Sequence, residues 1–193
     1  MARRYDHSPE ELKELAIQTG SDIIDELGFA KLSARGVATK MGYTVGTLYH
    51  LFGSLDLYIM HINGRTLDEW HEILSTKLAQ DKKSDPVRCL VREYIHFSKS
   101  HRNRFLALFE HQLPDSIPVP QWYTPKLQRL FALVEEALVQ SNVPARKAGH
   151  LAKVLWASIH GITILSLTGK LEVVGADSVE KLTETAVKSI VAL

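Results

Sequence analysis

The chain has 193 residues, of which 45% are hydrophobic and 23% are charged, and this length and composition suit one large folded domain or two small ones. Its uninterrupted apolar runs are far shorter than the roughly 20 residues of a membrane-spanning helix, and the first residues, MARRYDHSPEE, contain no apolar segment of a secretory signal. The single cysteine, Cys89, excludes an internal disulfide framework and is typical of a reducing cytoplasm.

Charge is unevenly distributed along the first quarter of the chain, although the net charge is only +1. Residues 31–52 contain Lys31, Arg35, Lys40 and His50 and no acidic residue, whereas residues 10–26 are rich in Asp and Glu. A local basic excess favours contact with a polyanion such as DNA, because phosphate contacts supply most non-specific affinity. A solvated surface patch explains the same charges equally well.

Helical spacing of apolar residues dominates the chain, so we predict an all-α fold of about nine helices. Ser8-Pro9-Glu10-Glu11 predicts the capped start of a first helix, which Gly28 ends. Ser33 can cap a short second helix that stops at Gly42, and Thr44 can cap a third. A long fourth helix is expected to reach about residue 80.

Five further helices are expected after the fourth. They cover about residues 85–100, 102–112, 127–140, 144–168 and 178 onward, with a Pro-rich aromatic loop at 114–125. A loop is expected between Gly169 and Gly175. Asn63 and Gly64 are poor helix formers in the middle of the long fourth helix, which indicates either a bend there or a tolerated surface glycine.

The second and third helices, with their glycine turn and the helix before them, are the parts of a helix-turn-helix module, which we assign to about residues 33–52. The inward positions are expected to be Val37, Met41, Leu48 and Phe52. The outer face of the third helix carries small and hydroxylated side chains, which would let it enter the major groove. The predicted DNA-binding residues are Ser33, Arg35, Thr44, Val45, Gly46, Thr47, Tyr49, His50 and Ser54.

Residues 10–60, and above all GYTVGTLYHLF at 42–52, resemble the DNA-binding domain of the tetracycline-repressor (TetR) family of bacterial regulators. The string typical of that family is similar to GVSKGTLYHHF. The resemblance implies a DNA-binding domain at residues 1–53 and a second all-helical domain at 54–193 that dimerises and binds a small effector. Residues 156–161, WASIHG, also resemble the WHG signature of one C-terminal subfamily.

Three positions depart from the family pattern. The family often has lysine at the position of Val45, a second histidine at that of Leu51 and lysine at that of Leu55. Fewer cations predict a shallower dependence of DNA affinity on salt. The cations expected to compensate are Arg3, Arg4, Lys31 and Arg35.

The helix predicted at 144–168 is apolar nearly all round, which is typical of a helix buried on two sides. One side would pack within its own domain and the other against a partner chain, and the last helix would complete a four-helix dimer seam. The alternative is a helix at the centre of a monomer. The residues predicted to lie at the dimer interface are Ala157, Gly161, Leu182, Ala186 and Ile190.

Several aromatic residues lie between positions 97 and 156, outside the helix-turn-helix module. Small-molecule sites are usually lined by apolar and aromatic side chains with few polar groups, so a small apolar or aromatic effector is expected. The candidate pocket residues are Phe97, Phe105, Phe109, Trp122, Tyr123, Trp156 and His160. The same residues also suit an ordinary hydrophobic core.

No sequence motif of a metal site, a nucleotide-binding loop or a hydrolase nucleophile is present, so we expect no metal, no cofactor and no catalytic residue. The sequence therefore predicts a cytoplasmic, homodimeric transcriptional regulator. We expect a repressor of a pseudo-palindromic operator, without a membrane partner. The alternative is a helical ligand-binding or adaptor protein without DNA activity.

Overall fold

The computed structural model describes residues 7–192, so Arg3 and Arg4 lie outside the described part. Within that part the ordered elements are ten α-helices and one 3-10 turn at Phe29–Lys31, which confirms the predicted all-α class. The helices are α1 Pro9–Leu27, α2 Ala34–Met41, α3 Val45–Phe52, α4 Leu55–Gln80, α5 Pro86–Ser100, α6 Arg102–Glu110, α7 Thr124–Gln140, α8 Ala145–Leu167, α9 Lys170–Val173 and α10 Val179–Val191.

The helix α9 occupies the segment between Gly169 and Gly175, where the sequence predicted a loop. That prediction was wrong because one apolar side chain anchors the segment. Leu171 is buried, and its carbonyl accepts a hydrogen bond of 3.0 Å from the backbone N–H of Ala176. A single helical turn therefore forms between two glycines of positive φ.

The chain divides into two compact units. The first contains residues up to Thr66 together with His101–Tyr123, and the second contains Leu67–Ser100 together with residues from Thr124 onward. The division falls inside α4. The boundary between residues 53 and 54 that the sequence suggests concerns the functional domains and stays a prediction.

In the first unit, α1 packs against α2, α3 and α6 around a common core. The core contains the inward positions of the helix-turn-helix, since Val37, Leu48 and Phe52 are buried. Met41, the fourth predicted inward residue, is partly buried and packs against the same cluster. The two short helices are thus fixed by the burial of the face that the sequence predicted.

In the second unit, α8 packs against α7 and α10, and α5 contacts all three. By length and composition α8 is also apolar enough to cross a membrane, although only 28% of its apolar stretch is buried inside the protein. This is weak evidence for a membrane span, because the core helix of a water-soluble domain meets the same criterion. It does identify α8 as a helix with an apolar, incompletely covered surface.

Candidate nucleic-acid interface

The helix α2 begins and ends where its side-chain chemistry dictates. The hydroxyl of Ser33 accepts a hydrogen bond of 3.1 Å from the backbone N–H of Gly36, which satisfies one of the unpaired N–H groups at the helix start. At the other end Gly42 adopts φ 77°, a left-handed conformation that glycine tolerates best. This glycine makes the turn that reverses the chain into α3.

The helix α3 is oriented by its cap and by its buried side. Thr44 accepts a hydrogen bond of 3.2 Å from the backbone N–H of Thr47, and the two threonine hydroxyls lie 3.0 Å apart. Because Leu48 and Phe52 point into the core, the opposite face is turned outward. The exposed residues of this face include Thr44, Gly46, Tyr49 and His50, with Tyr49 43% exposed.

Three of the predicted contact residues, Val45, Thr47 and Ser54, are half-buried and so less exposed than the sequence suggested. Val45 is half-buried and packs against the core of the first unit. Ser54 is half-buried, and its hydroxyl accepts a hydrogen bond of 3.1 Å from the backbone N–H of Leu57 at the start of α4. The side chains of Val45 and Ser54 therefore stabilise the fold in addition to any contact with DNA.

The helix-turn-helix module and the turn before it also carry cations. Arg35 and Lys31 are exposed, whereas Lys40 forms an ion pair of 3.2 Å with Glu26 at the end of α1. Both partners of that pair are exposed, and such pairs contribute little to stability. The Lys40 charge therefore remains accessible, although Glu26 offsets part of its field.

Lys13 contributes a cation that the sequence analysis did not select. It lies on α1, and its ammonium group is 5.6 Å from the centre of the Phe52 ring. Together with His7, Thr47 and His50, it lines a shallow groove between the start of α1 and α3. The sequence carries a signal for it, because Lys13 is the one basic residue within the acidic stretch 10–26.

The seven candidate pocket residues fall into both units. In the first unit, Phe105 is fully buried and its ring centre lies 5.2 Å from that of Phe109. Trp122 stacks on His61 with ring centres 4.4 Å apart. Burial raises the pKa of Tyr123 to about 12. These contacts serve the packing of α6 and the Pro-rich segment.

The other three pocket candidates, Phe97, Trp156 and His160, lie in the second unit. Phe97 is buried and stacks on Trp70 with ring centres 4.8 Å apart, so it belongs to the core. Trp156 is 38% exposed and stacks on His160 at 5.6 Å. The Nδ1 atom of His160 lies 2.9 Å from the hydroxyl of Tyr94, and burial lowers the pKa of His160 below its ordinary value.

Comparison with known proteins decides the family. Residues 87–190, more than half of the chain, match the family model described as tetracyclin repressor-like, C-terminal domain. The chain belongs to the TetR family of transcriptional regulators. The helix-turn-helix motif in the sequence and the match of the C-terminal half therefore indicate the same family. The narrower WHG subfamily stays a prediction.

Related proteins fit this assignment. The uncharacterized HTH-type transcriptional regulator Rv0681 of Mycobacterium tuberculosis is 24% identical over 167 residues, which cover 86% of this chain and 75% of that protein. A protein of unknown function from Rhodococcus sp. RHA1 shares the fold with a TM-score of 0.75 at 16% identity, over 99% of this chain and 98% of the other. FadR of Bacillus subtilis, solved in complex with stearoyl-CoA, has a TM-score of 0.67 at 10% identity, over 92% and 97%.

The predicted dimer residues of this TetR regulator differ in exposure. Ala157 is exposed, and a Cβ atom on Gly161 would meet no atom within 4 Å. Leu182 and Ala186 on α10 are half-buried, whereas Ile190 is 5% exposed and packs within its own chain. The outward stripe of α8 also carries two exposed apolar side chains, Val154 and Leu165.

The residues described by the structure contain no group of three or more His, Cys, Asp or Glu side chains that could hold a metal ion. Cys89 is buried, and burial is the main cause of the raised pKa of its thiol. A thiol that stays protonated is a poor nucleophile and a poor metal ligand.

Proposed function

We propose that this TetR-family regulator is a homodimeric repressor that binds a pseudo-palindromic DNA operator and releases it when a small apolar or aromatic effector binds. In this proposal residues 1–53 contact DNA, and residues 54–193 bind the effector and dimerise. The observation that carries it is the outer face of α3, which combines exposure with small and hydroxylated side chains.

The proposed DNA contacts divide by chemistry. The Tyr49 hydroxyl and the His50 ring are exposed and long enough to reach phosphates, and the Ser33 hydroxyl marks the start of α2. Exposed cations at Lys31 and Arg35 add charge that attracts the DNA backbone. Gly46 and Thr47 lie at the start of α3, where small side chains allow close approach to base edges.

The proposed dimer rests on the surface of α8. Val154, Ala157, Gly161 and Leu165 follow helical spacing and are not buried, so they form an outward apolar stripe. The small side chains at Ala157 and Gly161 leave room for close approach of a second helix. Two copies of one surface meeting across a two-fold axis would also set the spacing of two operator half-sites.

The proposed effector is a small molecule bound in the second unit, between α5 and α8. The complex of Bacillus subtilis FadR with stearoyl-CoA is a precedent for ligand binding within this fold. Release requires that the effector bind one conformation more tightly than the other, and a coupling of about 1–3 kcal/mol is typical. As a regulator of DNA, the protein would act in the cytoplasm, and the apolar stripe of α8 would face its partner rather than lipid.

The experiment that tests the proposal is a fluorescence anisotropy titration with the DNA upstream of the protein's own gene, against scrambled DNA of equal length. We expect specific binding to one pseudo-palindrome, with a footprint that has two halves about one or more helical turns apart. Equal affinity for both DNAs at several salt concentrations would contradict the proposal. It would favour the alternative of a helical ligand-binding or adaptor protein without DNA activity.

A further inference from the structure

Inside the second unit a small cleft lies between α4, α5, α7 and α8. Its volume is about 50 Å³. The lining contains no charged side chain and consists of Leu74, Val87, Leu90, Val91, Tyr94, Val134, Leu155, Trp156 and Ile159. An uncharged lining strongly disfavours an ionised ligand, because a buried charge without a partner costs much more than a buried neutral group.

Three polar groups meet at one end of this lining. The Tyr94 hydroxyl lies 2.9 Å from His160 Nδ1, and the side chain of Trp156 forms a hydrogen bond with the same hydroxyl. The indole N–H can only donate, so the Tyr94 oxygen accepts that bond. In the His160 tautomer that leaves Nδ1 unprotonated, Tyr94 donates its own proton to Nδ1. Burial is the main cause of the raised pKa of Tyr94 and of the lowered pKa of His160, so it favours the neutral form of both groups.

The cleft is closed to ligands in this conformation. Ligand pockets usually measure about 300–1,000 Å³, well above the volume found here. Among the lining residues Trp156 is the most exposed, at 38%, and apart from His160 its ring meets Phe131 edge-on at 5.7 Å. Movement of this one indole toward solvent would enlarge the cleft and leave the deeper apolar lining in place.

We propose that Trp156 is the gate of the effector site and that the ligand is a neutral, mainly aromatic molecule carrying one hydroxyl or N–H donor. The ligand ring takes the space of the indole, and its donor replaces the indole N–H at the Tyr94 oxygen. The Tyr94 oxygen accepts one hydrogen bond from the ligand, and His160 holds the Tyr94 hydroxyl in place. These two residues therefore determine specificity. This inference rests on the proposed effector site, but it does not depend on operator binding.

The test uses four naphthalene probes and equilibrium dialysis against the full chain without DNA. The probes are 2-naphthol, 2-methoxynaphthalene, 2-naphthoate and 2-naphthylmethylammonium, which share a ring system and differ in donor and charge. We expect 2-naphthol to bind about two- to tenfold more tightly than 2-methoxynaphthalene, the range of one neutral hydrogen bond. The two charged probes should bind more weakly than either neutral one.

Two variants then locate the effect. Tyr94→Phe keeps the ring but removes the acceptor, so 2-naphthol and 2-methoxynaphthalene should bind equally. Trp156→Phe removes the indole bond that must break and enlarges the cleft, so both neutral probes should bind more tightly while their ratio is kept. Tyr43→Phe, which removes a hydroxyl in the first unit, is the matched control for Tyr94→Phe and should change neither the affinities nor their ratio.

Three results would overturn the inference. The first is no binding of 2-naphthol at millimolar concentration. The second is a charged probe that binds as tightly as 2-naphthol. The third is an unchanged preference for 2-naphthol in a Tyr94→Phe protein whose thermal unfolding matches wild type. Failure of the regulator proposal is recognised separately, as loss of specific DNA binding in the anisotropy titration. Selective binding of 2-naphthol by a protein without operator affinity would leave this inference standing.

Discussion

The hydroxyl of Tyr58 donates a hydrogen bond of 2.6 Å to the backbone carbonyl of Ala16, which joins α4 to α1 inside the first unit. Tyr58 is fully buried, and burial raises its pKa well above the ordinary tyrosine value, so the hydroxyl stays protonated. One turn along α1, Gly20 leaves the space that Tyr58 and Ile62 fill, because a Cβ atom on Gly20 would overlap both side chains. The pairing of α1 with α4 therefore depends on a glycine inside a helix.

Gly20→Ala should destabilise the protein. The overlap with Tyr58 and Ile62 forces the two helices apart or pushes both side chains out of place, and overpacking of this kind costs about 1–3 kcal/mol. The better helix propensity of alanine, worth about 1 kcal/mol, offsets only part of this cost. The free energy of unfolding, measured by urea titration with circular dichroism, should fall.

Gly149→Ala is the matched control for that measurement. It also lies inside a helix, and its new Cβ atom would sit 3.5 Å from Oε1 of Glu135, an ordinary contact. Stability should therefore stay constant or rise. A Gly20→Ala protein as stable as wild type would show that α1 and α4 are not held as closely as described here.

The protein should lose stability as the pH falls through about 6.5. Burial lowers the pKa of His160, and burial together with the charge of Arg129 lowers that of His71. The folded state therefore binds fewer protons than the unfolded chain between these lowered values and about 6.5, so the free energy of unfolding falls as the pH falls across that window. Below the lowered pKa values this contribution is constant.

Chemical unfolding at pH values between about 7.5 and 5 would measure the effect. His160→Gln should show a shallower decline than wild type, because one of the two titrating groups is gone. Hydrogen bonds from Ser84 and Arg92 lower the pKa of Asp81, and a hydrogen bond from Arg88 lowers that of Glu184, so these carboxylates titrate at lower pH and do not affect the comparison. An identical slope for wild type and His160→Gln would contradict the prediction.

Tyr49→Phe should weaken binding to all DNA sequences about equally. The exposed hydroxyl is expected to bond a phosphate, which positions the protein without reading the sequence. The loss should be about 0.5–1.5 kcal/mol, or up to about 3 kcal/mol if the bond is charge-assisted. Titrations against the operator and against scrambled DNA measure it, and a loss confined to one base pair would mean that Tyr49 contacts a base.

Val45→Lys should raise non-specific DNA affinity and steepen its salt dependence. The family often has lysine at this position, and one added phosphate contact per subunit changes the slope of log affinity against log salt by about two in a dimer. Because Val45 is half-buried against the core, stability should also fall slightly, although the lysine stem can cover the same apolar surface. An unchanged slope in a salt titration would show that residue 45 does not contact the DNA backbone.

The local features of the DNA-binding half could be predicted because they depend on residues three or four positions apart. The caps at Ser33 and Thr44 and the glycine turn at Gly42 all formed as the sequence indicated. Gly36 occupies the capped position in the first turn of α2. Its N–H meets the Ser33 hydroxyl, and a Cβ atom there would lie 3.0 Å from that oxygen.

Features that depend on distant partners could not be predicted. Tyr94 and His160 are 66 positions apart, and no periodicity connects them. The suggestion that Gly64 is a tolerated surface glycine was wrong, because Asn63 and Gly64 are both buried. The amide of Asn63 lies 3.5 Å from the carbonyl of Ala107, at the long limit for a hydrogen bond. A bend at this place in α4 stays a prediction.

Gly161→Ala should weaken the dimer without harming the subunit. A Cβ atom at this position meets nothing within 4 Å in the single chain, so alanine should stabilise α8 by about 1 kcal/mol. In the proposed dimer the same methyl group would press against the partner's helix. An overpacking cost of about 1–3 kcal/mol raises the dimer dissociation constant by roughly five- to 150-fold. Sedimentation equilibrium of Gly161→Ala, with Gly149→Ala as the control on the same helix, measures this. A Gly161→Ala dimer as tight as wild type would move the interface away from the outward stripe of α8.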